Sequence, residues 1–121
     1  MEVVRIFDED NFLRRVPTFL PNYIKEDGSI SRLSFTPKRG EDGLSGDLER
    51  LSSFEKATLN DSRYRLLKIN IGVIRNDIND GLDVIHNPIQ GNEAHCLLIG
   101  KITDGKAGKL LKNSTEVMKV A

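Results

Sequence analysis

The stretch from Leu82 to Lys101, LDVIHNPIQGNEAHCLLIGK, constrains the fold more than any other part of the chain. It holds the longest unbroken apolar run, Cys96-Leu97-Leu98-Ile99, and a second short apolar segment, with a polar loop containing Pro88 and Gly91 between them. Short runs of branched side chains bounded by turn residues read as strands, and a loop of this size joins them as an antiparallel hairpin. Closing the hairpin from Asn87 to Ala94 sets Leu82 against Ile99, Val84 against Leu97 and His86 against His95, so that like residues face one another. Both histidines of the chain then stand about 4.5–5.5 Å apart at Cβ, close enough to share a ligand, a metal or a proton. Asp83, Glu93 and Cys96 lie nearby, but their spacing matches no metal signature, and no metal is expected. The plainer role for each ring is packing at a strand end with its nitrogens bonded to backbone.

Taken in order, residues 1–7 look strand-like, and Asp8-Glu9-Asp10-Asn11 is a turn or helix start before Phe12-Leu13-Arg14-Arg15-Val16. Pro17 and Pro21 forbid a regular helix between them, which predicts an extended surface connection anchored to the core by Phe19 and Tyr23. Ser29 to Thr36 alternates and predicts a strand with Leu33 and Phe35 inward. Lys38-Arg39-Gly40-Glu41-Asp42-Gly43 is a charged loop, and Leu44-Ser45-Gly46 a short strand or bulge. Ser52 or Ser53 caps a helix through Phe54, Ala57 and Thr58. Leu66 to Ile71 alternates as a strand with Leu67 and Ile69 inward, and Gly72 to Asp80 forms a short helix stopped by Gly81. Asp104 caps a C-terminal amphipathic helix whose inward stripe runs from Ala107 through Leu110 and Leu111 to Ser114 and Val117 or Met118. These elements predict a single α+β domain over residues 1–121, with a small, mostly antiparallel sheet and two or three helices packed on it. Its expected core is Leu33, Phe35, Leu67, Ile69, Val84, Leu97 and Ile99.

Composition narrows the function. Eighteen Lys and Arg balance eighteen Asp and Glu, which argues against a general nucleic-acid binder. A lone Cys96 inside an apolar run suits a reducing, cytoplasmic setting, and no run approaches the roughly 18 apolar residues of a membrane span. Lys38 and Arg39 beside three glycines, with Ser45 downstream, could hold a phosphate, although the pattern of a phosphate loop is missing and a solvated loop is the simpler account. Arg14-Arg15 is a basic spot. Ser45 has no nucleophile-elbow context, and no cofactor motif is present, so none is expected.

Leu13-Arg14-Arg15-Val16, Asp27-Gly28-Ser29-Ile30, Phe35-Thr36-Pro37, Leu44-Ser45, and Asn87-Pro88 through Ala94-His95 occur in an order that resembles a group of small uncharacterised bacterial proteins. In that group a DG…FxP…LS front half precedes a P…HA strand start. The resemblance spans most of the chain. It departs at Cys96, where the pattern has alanine, and at Gly46, where it has valine. It implies a bacterial or phage-derived cytoplasmic protein and supplies no activity.

The first functional expectation is therefore a non-enzymatic interaction or regulatory subunit, of a bacterial defence or toxin-control system, with a protein partner and room for a small anionic ligand. The alternatives are a nucleotide-binding sensor, or a small enzyme using His86 and His95 on a nucleotide or phosphoester while Arg14, Arg15, Lys38 or Arg39 steers the anion. What separates them is whether His95, Ser45, Arg14 and Phe35 converge on one cleft.

Overall fold

In the computed structural model, which describes residues 2–41 and 43–120, the chain enters its sheet through the acidic turn. The Asp10 carboxylate accepts the Phe7 N–H at 2.8 Å, and β1 (Asn11–Pro17) starts one residue later. Residues 2–7 form no strand, contrary to expectation, because side chains satisfy their backbone: Val4 N–H donates to His86 Nδ1 at 2.8 Å, and Arg75 reaches the Ile6 carbonyl at 3.0 Å.

The predicted strand over 29–36 is instead a 3₁₀ helix, Arg32–Phe35, set by polar side chains at its two ends. Ser31 Oγ accepts the Leu33 N–H, and Thr36 Oγ donates to the Arg32 carbonyl. Phe35 is buried as expected, while Leu33 is only half-buried. After the Lys38–Gly43 loop, in which Asp42 lies outside the described residues, β2 spans Leu44–Leu48. The ring of Phe12 lies over Gly46, in the space that a side chain there would need.

Ser53 caps α1 (Phe54–Ala57), a single turn. β3 (Tyr64–Asn70) buries Leu67 and Ile69 as its alternation predicts. The following helix is a π-helical segment, Val73–Ile78, which leaves through Asn79, Asp80 and Gly81 at φ of 52°, 54° and 82°. β4 (Asp83–His86) and β5 (His95–Ile99) make the hairpin. α2 spans Asp104–Lys112, and its cap is Thr103 rather than Asp104. Buried Ala107 and Leu110 lead its inner face, but the helix stops short of Val117, which belongs to an edge strand, β6 (Thr115–Val117).

The six strands form one sheet in the order β4-β5-β2-β1-β3-β6, with every pair antiparallel. The fold is therefore α+β. Most of the core lies on the face covered by α2, the 3₁₀ helix and the π-helical segment. The other face carries a smaller cluster in which Ala57 of α1 packs on Leu13 and Leu66, so the helices do not all share one side. Among the described residues no helix is long and apolar enough to cross a membrane.

The hairpin register is one residue away from the expected one. Val84 opposes Leu98 and His86 opposes Cys96, with Asp83 against Ile99. A one-residue slip exchanges the two faces of a strand. Cys96 and Leu98 are accordingly fully buried, while Leu97 and Ile99, expected in the core, are half-buried on the opposite face. The run is apolar at all four positions, so its own pattern does not select a face. The partners on β2 select it, buried Leu44 against Leu98 and Gly46, which lacks a side chain, against Cys96.

Candidate functional site

The slipped register separates the two histidines. His86 is buried and spent: Nδ1 accepts the Val4 N–H, so Nε2 carries the proton and donates to the Glu93 carbonyl at 2.7 Å. Neither nitrogen is left for a metal or a substrate. His95 lies on the other face and holds the opposite tautomer, because Nδ1 can only donate to the Asn87 carbonyl at 2.8 Å. Its Nε2 lone pair faces Ser45 Oγ at 3.2 Å. Ser45 and Asp47 share this face with His95 because they alternate along β2 beside β5.

Beside this pair the sheet opens. β1 and β2 are joined at only two positions, Phe12 against Leu48 and Leu13 against Asp47, whereas β1 follows β3 over its whole length. From Arg14 onward the β2 side of β1 is an open edge among the described residues. Arg14 bridges the gap. Its Nε donates to the Ser34 carbonyl at 2.7 Å and its Nη1 to the Ser45 carbonyl at 2.6 Å, which ties the 3₁₀ helix to β2. It is half-buried and has no carboxylate within salt-bridge distance among the described residues. Burial holds its guanidinium below the usual arginine range, with Tyr23 and Glu41 opposing the shift and Arg15 adding to it. Arg14, read from sequence as part of a basic spot and as a candidate to steer an anion, is held by two carbonyls at the wall of a cleft.

That cleft encloses about 270 Å³ and is lined by Arg14, Arg15, Lys38 and Glu41 together with Phe19, Tyr23 and Tyr64. Arg14 and Arg15 also line a smaller depression of about 70 Å³ with Ser45, Asp47 and His95. The two arginines therefore form the wall between an aromatic, cationic cleft and the Ser45–His95 pair. No family model, curated protein or solved structure matches the chain.

Of the residues singled out from sequence, Arg14, Arg15, Lys38, Ser45 and His95 come together in these adjoining hollows, while Phe35 is buried in the core and lines neither. Arg39 is exposed but lines neither hollow, and His86 lies on the far face. Sequence reasoning missed Phe19 and Tyr64. Phe19 was expected to anchor its segment in the core, but it is 47% exposed and packs edge-on against Tyr64 with ring centroids 5.4 Å apart. Cys96, close to Asp47, is no nucleophile: burial pushes its thiol far up. Among the described residues no three His, Cys, Asp or Glu side chains gather as a metal cage.

Proposed function

We propose that the protein is a small regulatory or interaction subunit that binds an anionic ligand at the open edge of β1, between Arg14, Arg15 and Lys38. Arg14 carries the proposal. A half-buried guanidinium with no carboxylate at salt-bridge distance among the described residues is unfavourable unless other groups compensate, and here two carbonyls hold it in place. Three of its five N–H groups have no protein acceptor among the described residues, and a phosphate can take two of them at once. Lys38 stands at the start of the charged loop, so an occupied cleft would alter the surface that this loop offers to a protein partner. The pattern resemblance supports the bacterial setting alone, and a role in defence or toxin control rests on the small size, the balanced charge and the lack of a catalytic motif.

Calorimetric titration with inorganic pyrophosphate tests the site. Wild-type protein is expected to bind, and the Arg15→Ala, Lys38→Ala double variant to bind roughly tenfold or more weakly with an unchanged melting curve. Absence of wild-type binding at millimolar pyrophosphate would overturn the proposal.

One observation favours a second reading. With His95 Nε2 unprotonated and facing Ser45 Oγ, the pair has the geometry of a general base beside a hydroxyl nucleophile. A Ser45→Ala change would abolish turnover of an activated phosphoester or ester if this reading holds. Absence of wild-type turnover on both substrate types would exclude it.

A further inference from the structure

The structure assigns an organic half to the ligand as well: we infer that the cleft takes a free nucleoside phosphate, with its base against Phe19 and Tyr64. This rests on the anion-binding reading above and adds the substrate class to it.

Phe19 is the second, independent observation. It projects from a turn closed by the Leu20 N–H to Pro17 carbonyl bond at 3.3 Å, and the prolines at 17 and 21 stiffen both sides of that turn. An exposed ring in such a place gains little from the core, yet its position is fixed. Tyr64 meets it edge-on, and Arg63 stacks with its Cζ 4.6 Å from the ring centroid. The Asp61 carboxylate clamps Arg63, so the guanidinium plane is held against the ring. Arg15 caps Tyr64 in the same way at 5.3 Å. Alternating aromatic and guanidinium planes make a surface on which a nucleobase stacks, and such stacking tolerates any base.

Chemistry at the two ends selects the occupant. Phe19 and Tyr64 line the same cleft as Arg14, Arg15 and Lys38, so a ligand there meets aromatic rings and cations together. An inorganic anion would leave the aromatic wall unused, and a neutral aromatic would leave the cations unpaired. Among the described residues Glu41 is the one carboxylate lining the cleft, and its Oε1 is held by the Lys38 N–H at 2.7 Å. It disfavours a second long stretch of polyanion there, which together with the balanced net charge points to a free nucleotide rather than a nucleic-acid strand.

Calorimetry comparing ADP, pyrophosphate and a single-stranded tetranucleotide tests this, using wild type, Phe19→Leu and Glu41→Gln. ADP is expected to bind wild type roughly tenfold more tightly than pyrophosphate, and Phe19→Leu to remove that advantage while leaving pyrophosphate binding unchanged. Glu41→Gln should tighten both ligands. Equal affinity for ADP and pyrophosphate, unaffected by Phe19→Leu, overturns the base-stacking inference and leaves the anion site standing. A tetranucleotide that binds more tightly than ADP overturns the free nucleotide as occupant. Binding of none of the three overturns the cleft reading and this inference with it.

Discussion

Leu97 and Leu98 are chemically identical neighbours with opposite fates, and their difference measures the hairpin register. Leu98 is fully buried against Leu44 and Val84, while Leu97 sits half-buried across from Ser45 and Ile85. Leu98→Ala should therefore lower stability by about 2–5 kcal/mol, through lost burial and the cavity left behind, and Leu97→Ala by less than about 1.5 kcal/mol. Paired urea titrations check this, and a larger loss at Leu97 than at Leu98 would restore the register expected from sequence. Ser34 offers a smaller test. Its hydroxyl is buried with no partner among the described residues, so Ser34→Ala should leave the melting temperature unchanged or raise it slightly. A clear drop would reveal a partner for that oxygen.

Elements were legible where one period dominated. β3 was readable because Leu67 and Ile69 alternate with Lys68 and Asn70, and α2 because Ala107 and Leu110 recur at helical spacing. β1 was not, because Arg14 and Arg15 interrupt its pattern: Arg14 shares a face with Phe12 and Val16, where only the carbonyls of Ser34 and Ser45 make a cation tolerable. Those carbonyls come from distant segments and leave no mark on the local sequence. The site residues were named for the same reason that β1 was missed, since charges out of pattern are either solvated or held. β6 was absorbed into the preceding helix because Glu116 and Val117 suit both. What makes it a strand is its backbone pairing to β3, beside which Arg65 grips the Glu116 carboxylate with Nε at 2.8 Å and Nη2 at 2.5 Å. The Arg65 hydrogen bonds hold the Glu116 carboxyl below its usual range. A lowered folded pKa means the pair stabilises fully above the ordinary glutamate value of about 4.3 and is lost as pH falls through the lowered one. Glu116→Gln should thus cost about 1 kcal/mol near neutral pH, and the gap to wild type should close as the pH falls through the lowered Glu116 value. Melting curves across that range check it, and a pH-independent gap would remove the ion pair as its source.

At the scale of the molecule, the sheet is two three-stranded ribbons, β4-β5-β2 and β1-β3-β6, meeting at the two rungs where Phe12 faces Leu48 and Leu13 faces Asp47. The Phe12 ring fills that junction against Gly46, and Arg14, on the same face of β1, laces it to the Ser45 carbonyl. Few hydrogen bonds cross it, so amides at the junction should exchange with solvent faster than those along the β1–β3 pairing, which runs unbroken from Asn11 to Pro17. Exchange measured residue by residue checks this, and uniform protection across β1 would count against it. The proposed ligand would touch Arg15 and Lys38 while leaning on Arg14, the residue that laces the ribbons together. Occupancy would then be felt as a quieting of the whole sheet, and a partner that favours the stiffer form could sense the ligand without any change in mean shape.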